Sequence, residues 1–160
     1  MNTSSFSIAP IGYVRISNGN TRLEILKDFT PALEGLEGFS HIIIVFWCHL
    51  TDTPEDRSHL VYDKPYTKGP DRVGVFATRS ESRPNPIAIT PVQVIKLDTS
   101  TGMIHIPFID AEDGTPIIDI KPYHPCIDRI QEVSTPEWCA HWPKWYEDSA
   151  SFGWESEFNF

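Results

Sequence analysis

Gly74-Val75-Phe76-Ala77-Thr78-Arg79-Ser80-Glu81-Ser82-Arg83-Pro84-Asn85-Pro86-Ile87 sets two arginines, two prolines and an asparagine in one polar loop between two apolar segments. Gly74 to Ala77 reads as a strand. Pro86 onward, through Ile87, Ile89, Val92, Val94, Ile95 and Leu97, reads as another. A proline disfavours the helical region for the residue before it, so Arg83 and Asn85 are both expected to be extended. Strand, stiff loop, strand is the local pattern, with no helical period on either side. The loop presents Arg79, Ser80, Arg83 and Asn85, and a rigid polar loop at a strand end is where binding residues are often found. Physics alone allows equally a stiff connection whose arginines pair with nearby carboxylates.

Outward from this loop, short strand candidates follow one another quickly. Phe6 to Ser17 alternates around Ile8, Ile11, Val14 and Ile16, and Asn18-Gly19-Asn20 turns the chain into Arg22 to Lys27. Thr30, Pro31 and Gly35 mark a short helical turn, with Thr30 as its N-cap. Ser40 to Leu50 is an apolar strand, and a polar loop with three prolines runs from Thr51 to Arg72. Further strands run from Val73, from Ile87, from Gly102 to Ile109 and from Thr115 to Ile120, with Asp98 to Gly102 as a hairpin turn. Asp113-Gly114 is a turn, and Lys121-Pro122-Tyr123 ends the last strand. So many strands and so few helices predict a mainly β, single-domain antiparallel barrel or curled sheet. The alternating strands and helices of a doubly wound nucleotide fold are missing, as is its glycine-rich loop.

The 160 residues suffice for one core. Ile42 to Cys48 is the longest apolar run, too short to cross a bilayer. No basic and apolar leader precedes Ile8, and three cysteines without paired spacing read as reduced thiols, so a cytoplasmic protein is expected. The formal charge is −9. From Ser134 on, Glu137, Glu147, Asp148, Glu155 and Glu157 stand against Lys144 alone. Nucleic-acid binding draws on lysine and arginine, so this balance weighs against unaided RNA binding. A local patch from Arg72, Arg79, Arg83 and Lys121 is the sequence's one route to it.

Three segments together carry a resemblance: the Arg79 loop, Asp110-Ala111-Glu112-Asp113-Gly114-Thr115-Pro116 through Tyr123, and Gly38-Phe39-Ser40-His41-Ile42. From about Ile11 to about Asp128 the chain resembles the TsaA-like family, whose best-known members are the TrmO enzymes. The resemblance implies an antiparallel β-barrel over residues 6–130, a homodimer with S-adenosyl-L-methionine near the subunit interface, and methyl transfer to N6 of threonylcarbamoyladenosine 37 in tRNA. Carried over singly, the family's cofactor contacts fall on His49, Leu50, Arg79, Ile89, Pro107, Phe108, Ile109 and Asp110. The residue types have the right chemistry, with Arg79 for a carboxylate, Phe108 and Ile109 for a flat apolar ring, and Asp110 to accept from ribose or amine. Asn85, Asp119, Lys121 and Tyr123 are the expected acceptor-side residues, clustered beside the methyl group. The family's Pro-Arg-Gln stretch after the first strand is missing, leaving Arg15 or Arg22 to replace it.

Other patterns carry less. His41 and His49 on one strand would lie about 26 Å apart, so no single metal ion joins them. The aromatic segment 131–160 holds Trp138, Trp142, Trp145, Tyr146, Phe152, Trp154, Phe158 and Phe160. It reads as a tail packed over the barrel, or as a lid or dimer contact, because that many exposed rings would aggregate. Two further functions remain open beside tRNA methylation: a small-molecule acceptor, and a non-enzymatic module that binds the cofactor or a partner protein.

Overall fold

The computed structural model describes residues 6–159. Among the described residues nine strands form: β1 (Gly12–Ser17), β2 (Asn20–Ile25), β3 (His41–Trp47), β4 (Val61–Asp63), β5 (Arg72–Gly74), β6 (Ile87–Gln93), β7 (Lys96–Asp98), β8 (Met103–Ile106) and β9 (Pro116–Pro122). Seven of them make one antiparallel sheet in the order β6-β3-β9-β1-β2-β8-β7, and β4 and β5 make a separate ribbon. Two single-turn helices, α1 (Pro54–Arg57) and α2 (Pro125–Asp128), and several 3-10 turns complete the chain.

Alternation along each strand explains the core. Ile42, Ile44 and Phe46 of β3 point inward, with Val14, Leu23, Val92, Ile104 and Ile117 from neighbouring strands, all buried. The β1–β2 hairpin has a two-residue turn in which Asn18 (φ 51°) and Gly19 (φ 73°) are both left-handed, as a type I′ turn requires.

The edge strands β6 and β7 are consecutive in the chain, joined only by Val94 and Ile95. That link spans at most about 11 Å, so the sheet must curl until its edges meet at one corner. Val94 donates to Ser40 O beside β3, and Ile95 donates to His105 O on β8. Among the described residues no β6–β7 pairing closes the sheet, so the form is a curled sheet. The single strand expected from Pro86 to Leu97 is therefore two, one at each edge. Pro91 lies in β6, where an edge strand tolerates its missing N–H.

Other expectations are corrected locally. Gly74 to Ala77 is not a strand: β5 ends at Gly74 and Val75–Ala77 is a 3-10 turn, held by Val75 N–H on Leu60 O and Thr78 N–H on Val75 O. The helical turn begins earlier, at Lys27, and Thr30 does not cap it; its hydroxyl donates back to Lys27 O at 2.9 Å. Phe6 to Ile11 lies outside β1, with Phe6 and Ile8 exposed.

Candidate functional site

β3 ends at Trp47, and the chain turns at once into a 3-10 turn over His49–Thr51. His49 is therefore off the strand, not on its outward face. Cys48 N–H donates to Pro86 O at 2.8 Å, which brings the end of the Arg79 loop against the end of β3. Asp110 joins them, since its charge, with those of Glu81 and Arg83, acts on the Cys48 thiol. Three segments distant in sequence, 48–50, 78–86 and 107–110, thus meet at one end of β3.

The 78–86 loop is bolted in place. Tyr62 Oη donates to Ser82 O at 2.6 Å and lies 2.8 Å from Ser80 Oγ. Ser82 Oγ donates to Asp56 at 2.7 Å, and Arg57 reaches Pro84 O at 3.5 Å. Arg79 donates through Nη2 to Ile89 O at 2.6 Å, so two expected cofactor residues touch directly at the β6 edge. That uses one of the five N–H donors of the guanidinium. Among the described residues neither Arg79 nor Arg83 is ion-paired, and Arg83 donates to Ser80 O.

The expected apolar pair divides. Phe108 is 65% exposed, whereas Ile109 is 3% exposed and belongs to the core. The Ile109 side chain is taken up by the core, so only its backbone is available to a ligand. Leu50 (66%) and Ile89 (50%) are exposed, as are Pro107 and Asp110. The site is an open face rather than a cavity. Two surface depressions, of about 410 and 340 Å³, lie beside Thr30 and Thr99 and beside Leu36 and Val94, and hold none of these residues.

On β9 a bulge decides which way the candidates point. Ile117 opposes Phe46, yet Val45 opposes Asp119, leaving Ile118 as the extra residue. Without it, strict alternation from the buried Ile117 would aim Asp119 into the core. With it, Asp119 and Lys121 face outward beside Val45 and Ile43, and Ile120 packs inward. Lys121 Nζ lies 2.8 Å from Asp119, which raises the lysine above its usual range, so it stays protonated and cannot act as a base. Asp119 also accepts from Ile120 N–H at 2.9 Å.

The four acceptor-side candidates do not cluster. Asn85 is exposed two residues before Ile87, which pairs with Trp47; Tyr123 follows Pro122, which pairs with Ile42 at the far end of β3. Five residues of strand, about 17 Å, separate those rungs. Tyr123 instead sits by His41, ring centroids 6.4 Å apart. Of the two arginines expected in the missing tripeptide's place, Arg15 pairs with Glu24 at 2.7 Å and Arg22 donates to Ser17 at 3.0 Å.

Two side chains escaped the sequence reading. Trp47 shares the outward face of β3 with Val45, its indole N–H on Asp52 at 2.8 Å and Arg57 over its ring at 5.3 Å. Alternation already placed it there. Tyr62 gave no signal, since its partners are 18 and 20 residues away. Among the described residues no cluster of three or more metal-ligating side chains occurs.

Burial first, then the Glu81 charge, push the Cys48 thiol up to about 11, against the smaller pull of Arg83. The thiolate is the reactive form, so Cys48 is expected to resist iodoacetamide at pH 8. Its rate should climb about tenfold per pH unit towards pH 11, while exposed Cys126 reacts readily. Peptide mapping by mass spectrometry after timed alkylation reads both; rapid Cys48 labelling at pH 8 would contradict the packing of this site.

The chain matches the family described as the tRNA-methyltransferase O N-terminal domain over residues 4–129. A probable S-adenosyl-L-methionine-binding protein of Pyrococcus horikoshii is 42% identical over 121 residues, which are 76% of this chain and 85% of that protein. The tRNA (adenine(37)-N6)-methyltransferase of Escherichia coli is 36% identical over 125 residues, 77% of this chain and 52% of the relative. The crystal structure of TrmO from Pseudomonas aeruginosa superposes with a TM-score of 0.62 at 32% identity, over 82% of this chain and 61% of that one. The chain spans less than two thirds of the length of these last two proteins. By sequence and by fold, the chain belongs to the tRNA-methyltransferase O N-terminal domain family.

Proposed function

We propose that this protein is an S-adenosyl-L-methionine-dependent methyltransferase that acts on N6 of threonylcarbamoyladenosine 37 in tRNA. The observation that carries the reading is the meeting of residues 48–50, 78–86 and 107–110 at one end of β3, inside a family match of residues 4–129. The residues suit the cofactor. Arg79, unpaired with any described carboxylate, offers charged donors to an amino-acid carboxylate. Phe108 and Leu50 offer exposed apolar surface, and Asp110 an exposed acceptor. The cofactor supplies an electrophilic methyl group, and the protein's share is to align and shield it. Asp119, fixed outward by the bulge, is the candidate to accept a proton from the acceptor nitrogen, and Lys121 to hold it in place.

The open face supports a homodimer in which a second copy completes the site. Leu50, Ile89 and Phe108 each leave half or more of their surface uncovered, apolar area suited to a partner. Light scattering at micromolar concentration should give about twice the 18.2 kDa chain mass; a monomer that still binds cofactor would reject this arrangement.

A small-molecule acceptor is the second reading, favoured by the charges. Lys121 is neutralised by Asp119 and Arg72 by Asp63 at 3.3 Å, so only Arg79 and Arg83 of the four expected cations are without a carboxylate partner among the described residues.

Two measurements test these readings. S-adenosylhomocysteine should bind by calorimetry, and Arg79→Ala should weaken binding by about 1.5–3 kcal/mol, the range for charged hydrogen bonds; no heat at millimolar ligand rejects cofactor binding. Methyl transfer to unfractionated tRNA should occur and fall steeply with salt as phosphate contacts are lost. No transfer at any salt, with cofactor binding intact, favours the small acceptor.

A further inference from the structure

The segment beyond residue 129 lies outside the family match, yet it is tightly built. Its last residues wrap the turn between β4 and β5. Thr67 N–H donates to Glu157 O at 2.9 Å, Thr67 Oγ1 to Ser156 O at 2.9 Å, and Asn159 N–H to Pro65 O at 3.1 Å. The Asn159 side-chain amide donates to Lys64 O at 2.8 Å. Lys64 has φ 46°, a left-handed conformation that a non-glycine residue adopts only when its surroundings hold it. Tyr66, at the tip, is buried between Trp138 (centroids 4.7 Å, stacked) and Trp142 (5.6 Å, edge-on).

At the centre of this contact is a buried carboxylate, Glu157. It accepts from Trp142 Nε1 at 3.0 Å and lies 2.9 Å from His141 Nε2 and 3.6 Å from Lys68 Nζ. Lys68 belongs to the clasped turn, while His141 and Trp142 belong to the tail. The carboxylate, itself little exposed, therefore joins the two by charge-assisted bonds that are costly to leave half-made.

The clasped turn leads directly to the candidate site. Lys64 lies two residues from Tyr62, and the ribbon is short and stiff, with Lys64 N–H on Asp71 O at 2.7 Å and Tyr62 opposite Val73. Tyr62 then donates to Ser82 O and touches Ser80, inside the Arg79 loop. From Glu157 to Ser82 every step is a packed ring, a hydrogen bond or a short stretch of paired backbone.

We infer that the C-terminal aromatic segment is a positioning element: clasped on the β4–β5 turn by Glu157 and Asn159, it sets Tyr62, and through Tyr62 holds the 78–86 loop in its binding geometry. Its effect on ligand rests on the methyltransferase reading; its effect on the loop does not.

Hydrogen exchange of the 160-residue protein without ligand separates the two. In Glu157→Gln and in Tyr62→Phe, amides of residues 78–86 should exchange at least tenfold faster, while those of β3 and β9 stay as in the parent. Glu157→Gln should also loosen residues 64–69, and Tyr62→Phe should not. Should Glu157→Gln fail to fold, Asn159→Ala, at an exposed position, takes its place with the same expectation. A loosened 64–69 turn beside an unchanged 78–86 loop overturns the inference, as does faster exchange spread evenly over the sheet. In calorimetry, S-adenosylhomocysteine should bind several-fold more weakly to either variant, and the double variant should be no worse than the weaker single one, since both cut one path. Parent protein that binds no S-adenosylhomocysteine rejects the methyltransferase reading and leaves the exchange result to judge the positioning role.

Discussion

The pairing of β3 with β6 on one side and β9 on the other fixes two surfaces at once. Because successive strand residues face opposite ways, the register that buries Ile42, Ile44 and Phe46 also turns Ile43, Val45 and Trp47 outward. A slip of one residue against either neighbour would exchange the two sets, and burying three large apolar side chains makes such a slip costly. The same register carries Cys48 to Pro86 and aligns Ile89 with Val45. The core thus sets the geometry of the outward face, and the candidate site inherits its precision from residues that never see solvent.

The 78–86 segment shows how a loop can be as fixed as a strand. Its backbone carbonyls at Ser82 and Pro84 are taken by side chains from elsewhere, and its two X-Pro steps narrow the accessible backbone. A loop ordered in advance loses less entropy when a ligand arrives. Arg79 is the one arginine of this loop that reaches across to a neighbouring strand, and its bond to Ile89 O both covers an open sheet edge and orients the guanidinium.

Much of this was legible in the sequence. Alternation through His41–Trp47, the Asn18-Gly19 and Asp113-Gly114 turns and the lack of helical periods point to an antiparallel barrel or curled sheet from local physics alone, and the strand pairing decides for the curled sheet. Where the reading failed, the cause was non-local. Ile117-Ile118-Asp119 looks like plain alternation, and only the pairing with β3 reveals that Ile118 is an inserted residue. Phe108-Ile109 reads as a continuous apolar surface until the sheet claims Ile109 for the core. Tyr123 shares a motif with Asp119 and Lys121 but lies just past the end of β9, beside His41, at the opposite end of β3 from Asn85. Phe160, counted with the aromatic tail, lies outside the described residues.

The central joint of the sheet is made between β1 and β9, where Gly12 meets Ile117 and Tyr13 meets Pro116. On a ribosome, the β1–β2 hairpin can form as soon as it emerges, but β9 is synthesised much later, and only then is the hairpin's other edge paired. Until then that edge is an open template for any passing strand. Two features shorten the hazard: the β1 edge is brief, and Ile16 N–H is finally taken by the Asp113 side chain at 2.7 Å rather than by another strand. A topology closed by its last strand also folds on the slow side of small domains, since distant partners must meet before the interior is sealed. The order of synthesis therefore leaves the β1 edge waiting for β9 after the β2 edge has already met β8.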